Sequence, residues 1–287
     1  MNCGVDLARR TLAVDHAGRP LCRDTEQLYR ALRELERHRV SDHDFLVGAA
    51  ERYETWVAPT MRQIPGATFQ MGTPAGQARH YCGETPAHTV RLSPFALSAV
   101  AVTTELYGKF DPHRLDVPTH ELRWPVVGVT WFDCAVFARW MGCVLPSEAQ
   151  WEYACGTGGS GQWCCAPDEL PNHAWYSENA DEHRHAVAAK EPNRFGLFDM
   201  PGNVWEWCQD SYAPNFYARA PKTDPVNDSF PDKSPGWDPD GIHKASRGGG
   251  YLALAEMCRT RYRAHDPAAY WATDLGFRLA DRLRAKG

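Results

Sequence analysis

Apolar positions near the start of the chain recur at helical spacing. Leu28, Leu32 and Leu35 are three or four residues apart, which places their side chains on one face of a helix. Asp24 stands three residues before Gln27, a spacing typical of a capping box at a helix start. The pattern therefore predicts an amphipathic helix that buries its leucine face against another part of the protein.

A second helix start follows at Ser41 and Asp44, ahead of further apolar residues at helical spacing. Residues 1–57 are therefore predicted to form an N-terminal helical extension, built as a hairpin. Amphipathic helices usually serve to bury a face, so its expected role is packing or dimerisation, without chemistry. Residues 58–287 are predicted to form the second and main domain.

The pattern of apolar and polar residues changes after the helical extension. Short β-like runs, ATFQM, HTVRL and VVGVTWF, are separated by Gly, Pro, Asp and His. Two helices interrupt them: one begins at Thr130, with Asp133 as its capping partner, and the other begins at Ser147, with Gln150. Turn residues dominate from 156 to 247. This mixture predicts an α+β fold with a large irregular part, whose backbone polar groups need side chains, water or ions as partners.

Charge and composition exclude several classes of partner. The 287 residues carry a formal net charge of −5 with both signs scattered, so the chain offers no basic face for nucleic acid and no basic cluster for anionic lipid. The longest apolar run, FALSAVAV, is too short to span a membrane, and the N-terminus lacks the apolar core of a secretory signal. The protein is expected to be cytoplasmic, with its ten cysteines as reduced thiols.

The most specific segment is FGLFDMPGNVWEW, residues 195–207. Gly202 lets the backbone turn sharply, and the residues after it alternate so that carbonyl and carboxylate oxygens can converge on one point. Together with MGT, ETPAHTVRL, LPSEAQWEYA, RGGGY and LGFRLA, this segment resembles the formylglycine-generating enzyme family, also called the sulfatase-modifying factor family. The resemblance covers residues 64–280, with the motifs in the family's order.

The resemblance implies a fold related to C-type lectins and a structural calcium ion. In the family, carbonyl groups and a glutamate of the equivalent segment hold the ion, and these positions correspond here to Asp199, Gly202, Val204 and Glu206. Hard oxygen ligands from alternate residues suit calcium chemistry. The alternative is that Glu206 only caps a turn.

The resemblance also implies a copper site, and here the sequence departs from the family. Family oxidases bind Cu(I) between two cysteines, and a serine in the preceding Gly-Gly-Ser turn helps with oxygen chemistry. Aligned on the glycines, Cys258 matches the second cysteine, whereas Ala253 replaces the first and Gly250 replaces the serine. A methyl group cannot replace a thiolate ligand, so the copper site is incomplete as the sequence stands.

Cys258 has two interpretations. It is either a small thiol buried in a strand, or a reactive thiolate whose pKa is lowered by the alternate arginines that follow it. His265 is close in sequence and is a candidate base, or a candidate ligand for iron. Together with Trp205 and Arg263, these two residues are predicted to line the reaction pocket.

Three functions compete on this basis. The first is a diverged oxidoreductase that uses oxygen and a metal, either iron or copper, to modify a peptide or a small natural product. The second is a calcium-stabilised binding module for a peptide or glycan, without turnover, because a fold alone does not select between enzymes and binders. The third is the intact conversion of sulfatase cysteine to formylglycine, which the loss of the first cysteine disfavours. The oligomeric state is left open by the sequence.

Overall fold

The computed structural model describes residues 7–281, except for 9, 16–17, 39–43, 75, 77–82, 160 and 229–241 and for the side chains of 37 and 44. The α-helices are α1 (Thr25–Arg37), α2 (Ala49–Arg52), α3 (Thr104–Tyr107), α4 (Trp131–Trp140), α5 (Glu148–Gly156) and α6 (Leu170–His173). A π-helical turn spans Tyr53–Val57, and 3-10 helices span Asp44–Leu46, Ala58–Thr60, Pro112–Leu115, Thr119–Arg123, Pro167–Glu169, Phe216–Ala218 and Ala255–Cys258.

The strands are short and fall into three sheets. They are β1 (Met61–Ile64), β2 (Ala67–Met71), β3 (His88–Leu92), β4 (Phe95–Ser98), β5 (Cys143–Val144), β6 (Trp205–Ser211), β7 (His243–Arg247), β8 (Ala264–Pro267), β9 (Leu275–Gly276) and β10 (Ala280–Asp281). The sheet orders are β1-β4-β10-β5, β2-β3 and β8-β7-β6-β9. Only the β6–β9 pairing among these described strands is parallel. In the last sheet, the loops that follow β7 and β8 meet beside β6, where Gly250 approaches Asp274 and Trp205.

The two main helices begin where the capping patterns predict. Thr130 accepts a hydrogen bond from the backbone N–H of Asp133, whose side chain accepts one from the N–H of Thr130, and the pair starts α4. Ser147 and Gln150 form the same reciprocal arrangement at the start of α5. The prediction of both helices is confirmed, because a capping box depends only on residues within one turn.

The N-terminal helix shares a core with the rest of the chain. Asp24 caps α1 by accepting from the N–H of Gln27, as predicted. Leu28 and Leu35 are fully buried in the same apolar cluster as α4, and the ring of Tyr29 meets that of Trp131 edge-on at 4.9 Å. The amphipathic pattern therefore serves packing against α4. The predicted second helix start at Ser41 and Asp44 lies outside the described side chains, and the second arm is broken into α2, a wider π-helical turn and a tighter 3-10 turn.

Two expectations for strands are wrong. The run VVGVTWF contains no strand: Val126 and Val129 are buried, but Gly128 has a φ of +66° and Thr130 already caps α4. A loop buries these apolar residues. The N–H groups of Val126 and Gly128 donate to carbonyls of distant segments, so they do not form the hydrogen-bond ladder of a strand. The second error concerns Cys258, which ends a 3-10 helix. Across the described residues, no helix is long and apolar enough to cross a membrane.

Candidate functional site

A run of three glycines after β7 brings the backbone close to Cys258. Gly248 and Gly249 have φ values of +102° and +76°, a region that disfavours other residues. A β-carbon at Gly249 would lie only 2.7 Å from Sγ of Cys258. The glycines are therefore required by both conformation and space, and they fold the loop over the thiol.

The third glycine faces a carboxylate and an indole. A β-carbon at Gly250 would lie 2.9 Å from Oδ2 of Asp274 and 3.1 Å from Cδ1 of Trp205. The backbone N–H of Trp205 donates to the backbone carbonyl of Asp274 at 2.7 Å, which holds the two chain segments side by side. The ring of Tyr262 lies 5.7 Å from that of Trp205. We call the set Trp205, Gly250, Ala253, Cys258, Tyr262 and Asp274 the Gly250 site.

Cys258 forms the buried floor of this site. It packs in a small apolar cluster with Ala253, Leu170 and Tyr176, and Trp205 is packed against the same cluster. Burial raises the pKa of the Cys258 thiol to about 12. The direction is opposite to that expected for a thiolate activated by neighbouring arginines, so at neutral pH the group is a protonated, apolar thiol.

Two of the arginines near Cys258 are paired with carboxylates from elsewhere in the chain. Arg259 donates to both oxygens of Glu84, at 2.7 and 3.2 Å. Arg263 donates to both oxygens of Glu148, at 2.6 and 2.8 Å, and to the carbonyl of Gly83. Arg263 is 4% exposed, so it is part of the core and does not line the pocket.

His265 has a different set of neighbours. Its Nδ1 lies 2.9 Å from Nδ1 of His243, and its ring stacks on Tyr212 at 3.9 Å. Burial, followed by His243 and Arg263, lowers the pKa of His265 to about 4, so the ring is neutral at pH 7 and a weak base. In the part of the chain that the structure describes, no group of three or more His, Cys, Asp or Glu residues could hold a metal ion. The structure thus brings Cys258 and Trp205 together and keeps Arg263 and His265 in other contacts.

Asp274 is a site residue that the sequence reasoning missed. It is half-buried, and burial raises the pKa of its carboxyl group. Its side chain forms no ion pair with any of the described residues. The sequence signal that could have found it is its position directly before the LGFRLA motif. This motif begins with β9, which pairs with β6.

The segment expected to bind calcium contains two buried carboxylates. One oxygen of Asp199 has no partner among the described residues, whereas both oxygens of Glu206 are already hydrogen-bonded. Asp199 is buried with φ +55°; its Oδ2 accepts from the N–H of Ala188, and its Oδ1 has no partner among the described residues. Glu206 instead accepts from Arg278 at 2.7 and 2.8 Å and from the indole of Trp151 at 2.8 Å. Burial raises the pKa of Asp199 to about 6. Asp199 therefore suits a cation ligand, whereas the charge of Glu206 is already compensated.

The other two expected calcium positions are backbone ones. Gly202 has a φ of +89° and donates its N–H to the carbonyl of Gly248, beside the Gly250 site. Val204 is buried, and its N–H donates to the carbonyl of Gly202 at 2.8 Å. The FGLFDMPGNVWEW segment thus supports the glycine loop directly, whether or not an ion is bound.

The fold and this loop-built site define the class of protein. The structure of PvdO from Pseudomonas aeruginosa has the same fold, with a TM-score of 0.66 at 24% identity, over 77% of this chain and 93% of that one. The chain matches the family model described as sulfatase-modifying factor enzyme 1-like domain over residues 48–283. It belongs to this family, also named for the formylglycine-generating enzymes, and the predictions of family and α+β fold are confirmed.

Individual relatives carry different names within the family. The formylglycine-generating enzyme of Streptomyces coelicolor is 30% identical over 76% of this chain and 88% of its own length. A mouse protein named inactive C-alpha-formylglycine-generating enzyme 2 is 28% identical over 54% of this chain and 70% of its own length.

Proposed function

We propose that this chain binds a peptide or a small molecule at the Gly250 site, without the two-cysteine copper oxidation of family oxidases. The observation that carries this proposal is what fills the space in front of Gly250. Asp274 and Trp205 both approach the point that a side chain at this position would occupy. A polar group beside an aromatic ring is a common way of orienting a ligand in a largely apolar pocket.

The residues present do not fit Cu(I). Such a site needs soft thiolate ligands, and position 253 supplies a methyl group. The remaining thiol, Cys258, is fully buried, and burial raises its pKa to about 12, which disfavours the thiolate form. No step of the proposed function therefore depends on copper.

Exposed apolar side chains on the segments of the site support a ligand-binding role. Leu252 and Leu254 flank Ala253, and Tyr270 and Trp271 shortly precede Asp274; all four are 46–59% exposed. Exposed apolar side chains on the segments that build the site are available to contact the apolar part of a ligand. The name of the inactive mouse relative shows that the family is not confined to active oxidases.

A fragment screen tests this proposal. Neutral, anionic and cationic fragments are observed by saturation-transfer NMR against wild-type protein, Trp205→Leu and Trp56→Leu. Trp56 is the matched control, because it is also half-buried but lines a different cleft with Thr55 and Lys109. We expect fragments whose signal is lost in Trp205→Leu and kept in Trp56→Leu. The proposal is wrong if no fragment binds, or if no bound fragment loses its signal in Trp205→Leu while keeping it in Trp56→Leu.

A diverged oxidoreductase is the second candidate, because Cys258 keeps its family position beside Trp205 and the Streptomyces enzyme matches most of the chain. Element analysis of protein purified without added metal, followed by an oxygen-consumption assay, distinguishes the two. Near-stoichiometric iron or copper with turnover that Cys258→Ala abolishes would favour the oxidoreductase over simple binding.

A structural calcium ion belongs to either version of the proposal. Asp199 would supply the charged oxygen, since its Oδ1 is buried without a partner among the described residues. Carbonyl groups of the turn at Gly202 and Val204 would complete the oxygen shell. The role of the ion would be to hold the turn that supports the glycine loop.

A further inference from the structure

The buried glutamates among the described residues are matched with arginines. The ion pairs are Glu84 with Arg259, Glu148 with Arg263, Glu152 with Arg247 and Glu206 with Arg278. Each of these side chains is at most 4% exposed. Such pairing is expected, because an uncompensated charge away from water is strongly unfavourable.

The carboxylate of Asp274 is not matched in this way. It is half-buried but has no arginine or lysine partner among the described residues, and no cation shifts its pKa. Asp266 on β8 has the same sign, and Asp274 raises its pKa. Asp274 therefore places a negative charge at the Gly250 site, and none of the described residues supplies its counter-charge.

Two aromatic rings belong to the same site. Trp205 approaches Gly250 from the same side as Asp274, and Tyr262 lies 5.7 Å from Trp205 with a tilt of 51°. Aromatic faces attract cations and also accept an apolar body. One cation near Tyr262 is Arg259, whose guanidinium is 5.8 Å from the ring and already paired with Glu84.

We infer that the ligand of the Gly250 site carries an ammonium or guanidinium group joined to an apolar body. Asp274 accepts hydrogen bonds from this cation, and Trp205 and Tyr262 contact the carbon atoms next to it. This inference rests on the proposed function and specifies its ligand class. The same chemistry is found in free amines and in lysine or arginine side chains of peptides, and the two sources can be separated by experiment.

Two pairs of probes test the inference. 2-Phenylethylamine is compared with its neutral analogue 2-phenylethanol, and N-acetyl-lysine amide with N-acetyl-norleucine amide, each by NMR titration. We expect at least one cation to bind about tenfold more tightly than its neutral analogue, as a charge-assisted contact predicts. The preferred pair indicates whether the source is a free amine or a peptide side chain.

Variants locate the preference. Asp274→Asn keeps the shape of the side chain and removes its charge, so the preference for the cation should disappear while the neutral analogue binds as before. Asp116→Asn, an exposed carboxylate on another segment, is the control and should behave as wild type. If Asp274→Asn did not fold, the cation preference of wild-type protein and its loss in Trp205→Leu would still decide the matter.

The outcomes separate the inference from the proposed function. Equal binding of cationic and neutral probes, or a cation preference that survives in Asp274→Asn, overturns the inference. If neutral or anionic fragments are nevertheless lost in Trp205→Leu, the binding function stands with a different ligand class. If no cationic probe binds wild-type protein, the inference is wrong.

Discussion

Charged side chains are arranged in opposite ways in the core and at the Gly250 site. In the core, Arg263 and Arg278 bond to both oxygens of a facing glutamate. At the Gly250 site, Asp274 approaches Gly250 together with Trp205 and has no cation partner among the described residues. The core glutamates are thus compensated by arginines, whereas the site leaves one negative group for water or a ligand to satisfy.

The comparison indicates that buried ion pairs stabilise the fold, whereas the carboxylate at the Gly250 site is available for binding. Many loops in this protein lack regular hydrogen-bonded structure, so buried ion pairs between distant segments hold them in register. Arg247 shows this role well: it pairs with Glu152, lies 3.1 Å from Glu148, and donates to the carbonyls of Thr260 and Tyr262. Removing core charges should therefore damage the fold, whereas removing the charge at the site should damage binding.

Breaking a core pair should have the largest effect. Arg278→Met leaves Glu206 buried without its cation, which should lower the free energy of unfolding by about 3–5 kcal/mol. Urea denaturation of the variant measures the loss. Arg30→Met is the control, since Arg30 forms an exposed pair with Glu26 on α1 that is expected to contribute below about 1 kcal/mol. Similar losses in the two variants would contradict the view that the core pairs hold the loops.

The calcium proposal predicts a stability change that depends on the ion. With free Ca2+ a hundredfold above its dissociation constant, binding should stabilise wild-type protein by about 2.7 kcal/mol. A chelator should remove this stabilisation, as followed by thermal unfolding, and Asp199→Ala should unfold at the same temperature with or without chelator. Glu206→Ala is a poor test, because it also leaves Arg278 without a partner. Wild-type protein that is indifferent to both chelator and added Ca2+ would contradict the proposal.

The thiol at the floor of the site should behave as an apolar core residue. Cys258→Ser places a hydroxyl group in the cluster with Leu170, Ala174 and Ala253, at a cost of about 1–3 kcal/mol if the group finds no partner. Cys258→Ala should be tolerated better, because it adds no polar group. Denaturation measurements on both variants check this order. A serine variant as stable as the alanine variant would show that the floor of the site is polar or open to water.

How far the sequence could predict the structure depends on the distance between interacting residues. The caps of α4 and α5 were predictable because their partners lie three positions apart. The strand expected at VVGVTWF failed because its apolar residues are equally compatible with a buried loop, and only distant carbonyls select the loop. Family motifs located Trp205 and Cys258, but spacing alone could not show that burial governs the thiol.

The ionic arrangement could not be predicted from local patterns. Glu84 and Arg259 are 175 positions apart, and Arg247 and Glu152 are 95 apart, so no local pattern joins them. The alternate arginines after Cys258 therefore suggested an activated thiol, although Arg259 and Arg263 form ion pairs with glutamates. Asp274 was missed for the same reason: its importance comes from Gly250 and Trp205, which reach it from two other segments.

The smallest stability effect, and the sharpest contrast with the core, is expected for Asp274→Asn. Burial raises the folded-state pKa of Asp274 above the ordinary value of 3.8. A group with a raised folded pKa contributes its full stability below the unfolded pKa and loses it as the pH rises through the folded pKa. Wild type and Asp274→Asn should therefore be equally stable near pH 3. At neutral pH the variant should equal or slightly exceed wild type.

Urea denaturation over this pH range measures the difference, and a cationic probe sharpens it. Bound cation should stabilise wild-type protein and leave Asp274→Asn unchanged, because binding to the folded state alone raises the free energy of unfolding. A large loss of stability in ligand-free Asp274→Asn at neutral pH would mean that the carboxylate already has a cation within the protein. The site would then be another part of the ionic core, and the contrast between the two regions would disappear.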